Sequence, residues 1–317
     1  MAQTSVGSKR VLLGTPRGFC AGVERAIEIV EIALGIYGPP VYVRKEIVHN
    51  AHVVEDLKKK GAVFVETEDE VPSGKVVIFS AHGIAPIVRE RSAARGLTAI
   101  DATCPLVTKV HLEARKYVKD GYSILLIGHA NHDEIIGTMG EAPEAIQLIE
   151  TVDDAKAVEV PDPKHVVCLT QTTLSVEDTR DVVDTLSARF PEMLVRNDIC
   201  YATENRQMTV KALAKEVELI LVVGAANSSN SIRLMEVARA QGVAAHRISD
   251  VAEIDPEWLN GPTSIGVSSG ASTPEVKVTE VLDYLLEEGA APAREIRVID
   301  ENVTFSLPRE LRRHRKS

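Results

Sequence analysis

The feature that most limits how this chain can fold is a pattern used three times: an extended approach, a polar turn ending in a cysteine, and a helical pattern that starts directly after the thiol. One copy runs Val11-Leu12-Leu13-Gly14-Thr15-Pro16-Arg17-Gly18-Phe19-Cys20 and continues into Ala21-Gly22-Val23-Glu24-Arg25. A second, Ala99-Ile100-Asp101-Ala102-Thr103-Cys104, is followed by Pro105 at a first helical position. Proline suits that position because its φ is already helical and its missing N–H would have had no partner there. The third is Asn197-Asp198-Ile199-Cys200 leading into Tyr201-Ala202-Thr203-Glu204. The cysteines stand 84 and 96 residues apart. Spacings so nearly equal imply a domain-sized unit used three times.

Between the cysteines, buried-strand patterns alternate with amphipathic helices, as in parallel sheets covered by helices. Val41 to Val48 ends in His49-Asn50, and Lys75 to Ser80 ends in Ala81-His82-Gly83. Ser123 to Gly128 ends in His129-Ala130-Asn131-His132-Asp133-Glu134, and Val166-Val167-Cys168-Leu169 ends in Thr170-Gln171-Thr172-Thr173. Leu219 to Gly224 ends in Ala225-Ala226-Asn227-Ser228-Ser229-Asn230-Ser231, and Ser264 to Val267 ends in Ser268-Ser269-Gly270-Ala271-Ser272-Thr273. Each repeat thus supplies one cysteine turn and two further polar turns. The expected architecture is α/β, with three pseudo-equivalent small domains at 22–104, 105–196 and 197–290. The strand in 10–20 joins the third domain, and 291–317 forms a C-terminal tail. Ligands of open parallel sheets collect outside the carboxyl ends of the strands, so the nine turns are expected to converge on one pocket.

Net charge −10 and 44% hydrophobic residues describe an acidic globular chain whose surface repels nucleic acid. The basic stretch Arg309 to Lys316 reads as a solvated terminal face. No apolar run reaches the roughly 18 residues of a membrane span, and the first ten residues lack a signal-peptide core. The expectation is a cytoplasmic protein with no membrane or nucleic-acid partner. Four cysteines without a CxxC pair are not a disulfide framework there. Cys168 lies inside an apolar run and reads as strand core, whereas Cys20, Cys104 and Cys200 sit at helix starts, where the dipole and free N–H groups favour a thiolate.

Three soft ligands from separate elements suit zinc or an iron-sulfur cluster, and spacing does not decide between them. The surrounding turns, rich in Ser, Thr, Asn and His, suit phosphate oxygens. His49, His82 and His132 hold equivalent places just past apolar strands. With Ser228, Ser229, Asn230 and Ser272 they offer enough donors to hold a diphosphate without a lysine cluster. His52, His111, His165, His246 and His314 lack that placement and read as structural or surface residues. Glu134 is a candidate proton donor, its carboxyl pushed up by the like charge of a bound phosphate. No GxxxxGK[ST] or GxGxxG pattern is present, which removes support for nucleotide or nicotinamide binding. Three functions remain open on the residues alone: a reductase, a Lewis-acid lyase that removes water without net electron transfer, and a zinc-holding anion-binding protein.

The turns Pro16-Arg17-Gly18-Phe19-Cys20-Ala21-Gly22-Val23, Val48-His49-Asn50, Ser80-Ala81-His82-Gly83, Asp101-Ala102-Thr103-Cys104-Pro105-Leu106-Val107, Gly128-His129 through Gly137-Thr138-Met139-Gly140, Thr170-Gln171-Thr172-Thr173-Leu174-Ser175 and Asn227-Ser228-Ser229-Asn230-Ser231, in this order, resemble those of the 4-hydroxy-3-methylbut-2-enyl diphosphate reductases. These are the last enzymes of the methylerythritol phosphate route to isoprenoids. The resemblance covers about Arg10 to Leu311. It implies a cloverleaf of three α/β domains around a central 4Fe-4S cluster held by Cys20, Cys104 and Cys200. It further implies diphosphate binding by His49, His82, Ser228, Ser229, Asn230 and Ser272. His132 would lie near both diphosphate and proton path, Glu134 would be the proton source, Thr172 would stand beside the substrate hydroxyl, and ferredoxin or flavodoxin would deliver electrons. Ala226 departs from the family, which often carries a basic residue there, so substrate affinity is the quantity in question. Cys168 has no counterpart among the family's ligands.

Overall fold

The computed structural model describes residues 9–312, apart from the side chains of Val176 and Asp178. The last residues of the basic stretch Arg309 to Lys316, from 313 on, lie outside the described residues. Two compact units are present, one formed by the residues up to Cys20 with Tyr201–Val303, the other by Ala21–Cys200 with the residues from Thr304 on.

The second unit begins with α1 (Ala21–Tyr37), β2 (Val41–Arg44), α2 (Ala51–Lys59), β3 (Ala62–Val65), β4 (Val76–Phe79), α3 (Pro86–Ala94) and β5 (Thr98–Asp101). It continues with α4 (Pro105–Lys119), β6 (Ser123–Ile127), α5 (Asp133–Met139), β7 (Ile146–Ile149), α6 (Val152–Ala157), β8 (Val166–Thr170), α7 (Val176–Arg189) and β9 (Leu194–Val195). The first unit contains β1 (Arg10–Thr15), α8 (Tyr201–Ala214), β10 (Leu219–Val223), α9 (Ser229–Ala240), β11 (Ala244–Ile248), β12 (Ser264–Ser269), α10 (Glu275–Glu287) and β13 (Arg294–Arg297).

The strands make three sheets, ordered β3-β2-β4-β5, β7-β6-β8-β9 and β11-β10-β12-β1-β13. Every pairing is parallel. The order repeats position for position, with the cysteine-bearing strand fourth each time: β5 leads to Cys104, β9 to Cys200 and β1 to Cys20. Only β13, which opens the expected tail and pairs with β1 from Leu12↔Arg294 to Thr15↔Arg297, has no equivalent in the other two sheets. Central strands are apolar along their whole length, as burial on both faces requires. Val76–Phe79, Val166–Thr170 and Leu219–Val223 are buried throughout. Clusters built on Leu219, Leu221, Val267, Val278 and Val281 on one face and on Leu12, Val210, Leu213, Ile220 and Val222 on the other sandwich the five-stranded sheet.

One expectation changes in detail. The strand expected over Val41–Val48 stops at Arg44, because Lys45 takes φ 60, a left-handed turn conformation. In the connection Glu66–Gly74 a short 3-10 turn at Glu68–Glu70 buries Glu68, whose carboxylate accepts from Arg44 Nε at 3.0 Å.

Candidate active site

All three cysteines stand immediately before a first helical residue, Ala21, Pro105 or Tyr201, and none of the four cysteines is in a disulfide. The local fixings repeat as well. The Cys20 N–H donates to Ala271 O at 3.1 Å, Cys104 N–H to Ala81 O at 2.9 Å and Cys200 N–H to Thr172 O at 3.0 Å. The cysteine's own amide is therefore occupied, and the backbone of each cysteine is clamped to a neighbouring polar turn. Those turns carry Ser272, His82 and Thr172, all candidate substrate residues. The three thiols are partly exposed, whereas Cys168 is fully buried in β8 and burial pushes it up to about 12. Cys168 is core, as its apolar run indicates.

In the second unit the turns after β2, β4 and β6 bring three imidazoles together. His49 and His82 stack with ring centroids 3.9 Å apart, and His132 meets them edge-on at 5.4 and 5.9 Å. Burial, then the His49 and His132 rings, pulls His82 well below the ordinary histidine value, and its Nδ1 is buried without a hydrogen-bond partner. His132 is lowered to about 4, first by burial. Its Nδ1 accepts from the Glu134 N–H at 3.2 Å as the N-cap of α5, which leaves Nε2–H as the donor. Asn50 is committed elsewhere, its Oδ1 capping α2 through His52 N–H and Val53 N–H.

Glu134, in the first turn of α5, is 2% exposed. Its Oε1 accepts from Thr172 N–H at 2.7 Å and its Oε2 from the Thr172 hydroxyl at 2.8 Å. Burial raises its pKa to about 7 against those bonds. The sequence-based expectation attributed such a shift to a neighbouring phosphate; burial produces it in the protein alone. A carboxyl near pH 7 is half protonated and suited to passing a proton. Ligand atoms of His49, His82 and Asp133 also lie within 4.8 Å of one another, close enough to share a small cation.

In the first unit, Ser228 caps α9 by accepting from Ser231 N–H at 3.3 Å, and it also accepts from the Ser231 hydroxyl at 3.0 Å, so its own O–H is left to donate. Ser231 sits in a cradle of two glycines, where a Cβ on either Gly224 or Gly270 would fall 2.1 Å from its Oγ. This packs the Ser228 turn beside the Ser272 turn. Asn230 is 4% exposed, and neither its Oδ1 nor its Nδ2 has a partner. An unpartnered buried amide is costly, and a polar ligand at this turn would satisfy it. Ala226, on the same turn, is exposed.

His111 was not singled out by its position in the repeat, yet it is 6% exposed and its Nδ1 lies 2.8 Å from Glu141 Oε1. Its ring packs 3.1 Å from where a Cβ on Gly83 would be and 3.3 Å from one on Gly137. It thereby wedges the His82 turn against the helix of Glu134. No single-residue pattern signals this; only the close approach of two glycines does.

The chain is 55% identical over 310 residues to a 4-hydroxy-3-methylbut-2-enyl diphosphate reductase of a Mycobacterium species (strain KMS), covering 97% of this chain and 93% of that one. It is 54% identical over 315 residues to the reductase of the same name from Streptomyces coelicolor, covering 98% and 93%. The solved E-1-hydroxy-2-methyl-but-2-enyl-4-diphosphate reductase of Plasmodium falciparum superposes with a TM-score of 0.92 at 38% identity over 96% of this chain and 97% of that one. With its residues 11–286 matching the family model described as LytB protein, the chain belongs to the LytB family.

Proposed function

We propose that this chain is an oxidoreductase that converts 4-hydroxy-3-methylbut-2-enyl diphosphate to isopentenyl and dimethylallyl diphosphate. The observation that carries the reading is Glu134: a buried carboxyl with a pKa of about 7, gripped by Thr172, on the helix that starts at the His49–His82–His132 cluster. The reaction breaks the allylic C–O bond and forms a C–H bond, consuming two electrons and two protons; one proton leaves with the hydroxyl as water and the other ends on carbon.

The donor set fits an iron-sulfur cluster. Cys20, Cys104 and Cys200 are partly exposed thiols at helix starts, soft ligands of the kind such a cluster takes, and each is fixed through its backbone N–H. A 4Fe-4S cluster held by these three residues would supply the electrons. The protein binds and protonates. His49, His82, Ser228, Ser229, Asn230 and Ser272 take the diphosphate. His132 presents Nε2–H while its Nδ1 holds the start of α5, so one ring serves both the anion and the helix of the acid. Thr172 orients Glu134 and stands beside the hydroxyl that Glu134 protonates. Among the described residues no helix is long and apolar enough to cross a membrane. The proposed setting is the cytoplasm, with ferredoxin or flavodoxin as electron donor.

Anaerobic purification followed by iron analysis and oxidation of reduced methyl viologen tests the reading. Brown protein that takes two electrons per substrate supports it. Conversion without electron uptake would point to a lyase, and colourless protein containing zinc would remove the redox reading.

A further inference from the structure

The helix that each cysteine starts carries a cation five or six residues on, and each cation grips a different cysteine turn. Arg25, on the helix after Cys20, donates from Nη1 to Ala102 O at 3.1 Å and Thr103 O at 3.0 Å, the two carbonyls before Cys104, and from Nε to Ser306 O at 2.9 Å. Lys109, on the helix after Cys104, donates to Asp198 Oδ1 at 2.9 Å, two residues before Cys200. Arg206, on the helix after Cys200, donates from Nη2 to Gly18 O at 2.7 Å, two residues before Cys20, and from Nη1 to Ala202 O and Glu301. The first grip serves the second turn, the second the third, and the third returns to the first. Arg206 is 0% exposed and Arg25 9%, whereas the Lys109 side chain is 52% exposed and its Nζ also lies 3.5 Å from Glu113 Oε1. Asp198 is buried too, and is further tied to Thr170 through its own N–H and its Oδ2.

Buried guanidinium groups bonded to backbone carbonyls are expensive to desolvate, and a fold that needed only packing would fill these places with apolar side chains. We propose that Arg25, Lys109 and Arg206 are positioning residues for the three cysteines, fixing each turn in its ligating conformation and placing positive charge beside the anionic thiolates. The inference rests on the reading of Cys20, Cys104 and Cys200 as cluster ligands. Charge-assisted bonds of this kind are strong enough that losing one changes an equilibrium about tenfold or more.

The test uses anaerobically prepared holoenzyme of wild type, Arg25→Gln, Arg25→Lys, Lys109→Gln and Arg206→Gln, with the exposed Lys58→Gln as control. Two quantities are read: the rate at which a ferrous chelator strips iron, and the midpoint potential of the bound centre. Arg25→Gln and Arg206→Gln are expected to lose iron about tenfold faster and Lys109→Gln, whose ion pair is half in solvent, about threefold faster, and all three to shift to more negative potential, because removing a cation disfavours the reduced, more negative state. Arg25→Lys keeps the charge but not the fork, so it should restore the potential and not the retention. Should Arg206→Gln fail to fold, Arg25→Gln and Lys109→Gln decide. Iron-loaded wild type with both variants within twofold of it in stripping rate and unchanged in potential overturns the inference alone. Wild type that takes up no iron overturns it together with the ligand reading.

Discussion

Replacing Thr172 with valine removes one hydroxyl from a buried, similarly shaped side chain, and its effect on Glu134 can be worked out. The Thr172 O–H donates to Glu134 Oε2 at 2.8 Å and so stabilises the ionised carboxylate; the backbone bond to Oε1 at 2.7 Å is untouched. A hydrogen bond to a charged group contributes about 1.5–3 kcal/mol, and one pKa unit corresponds to about 1.4 kcal/mol. Losing the bond therefore raises the Glu134 pKa by about 1–2 units from its starting point of about 7. An acid must be protonated to act, so the alkaline limb of the kcat profile moves upward by that amount. The turnover itself also falls if Thr172 stands beside the substrate hydroxyl as proposed, but the position of the limb is independent of the amplitude. Steady-state oxidation of reduced methyl viologen under argon between pH 6 and pH 10, with saturating substrate, measures it. A limb that stays in place or moves to lower pH would show that Glu134 is not the titrating acid.

Glu134→Gln should lower kcat by about 10²–10⁴-fold. It should also stabilise the fold at alkaline pH: the folded pKa is about 7 against 4.5 unperturbed, so the native carboxyl favours the protonated state and loses stability as pH rises from about 4.5 through 7. The variant escapes that loss, up to about 3 kcal/mol, and a gain in denaturant midpoint at pH 5 equal to that at pH 9 would contradict the linkage. His132, near 4, and His82, well below its ordinary value, are neutral at pH 7. The His132 Nδ1 is held by the Glu134 N–H, so binding of inorganic pyrophosphate should draw a proton onto His82, whose Nδ1 has no partner, and affinity weakens as pH rises; calorimetry in buffers of different ionisation enthalpy should show net proton uptake beyond the pyrophosphate's own, and none would defeat the idea. Gly224→Ala places a methyl 2.1 Å from Ser231 Oγ and should cost about 1–3 kcal/mol while weakening pyrophosphate binding, checked by thermal melting with and without the anion. Cys168→Ala should keep its iron and lose only core packing, whereas Cys104→Ser should lose iron; equal iron loss in both would remove the distinction between them.

The parts of the fold that could be read from the sequence are those in which one requirement dominates. Val76–Phe79, Val166–Thr170 and Leu219–Val223 are buried on both faces, so hydrophobicity alone marks them. Turns at their ends are marked by small polar residues. The outer strands β3, β7 and β11 were less legible, because they are short or half-exposed: Val63 is 40% exposed and Ala244 is exposed. At the candidate site, residue type revealed the thiols and imidazoles, but not the partner that gives Glu134 its properties, since Thr172 lies 38 residues away in sequence. His111 was illegible for a similar reason. Its fit depends on Gly83 and Gly137, contributed by different turns.

The recurrence of one hydrogen bond in all three repeats bears on why the cysteine strand is always fourth. In each sheet that strand pairs with the strand bearing a polar turn: β5 with β4, β9 with β8, and β1 with β12. Parallel pairing in register brings the two carboxyl ends level, so the residue before the helix can donate to a carbonyl of the neighbouring turn, as Cys104 does to Ala81, Cys200 to Thr172 and Cys20 to Ala271. A shift of one residue in any pairing would turn the side chains over to the opposite face and break that bond. The positions of the cysteine and of the neighbouring polar turn are therefore set by a single variable, strand register, and a displacement of Cys104 is also a displacement of the turn of His82. The coupling predicts that substitutions loosening one cysteine turn weaken diphosphate binding as well as metal retention, most directly in the Cys104 repeat, where the adjacent residue is an imidazole.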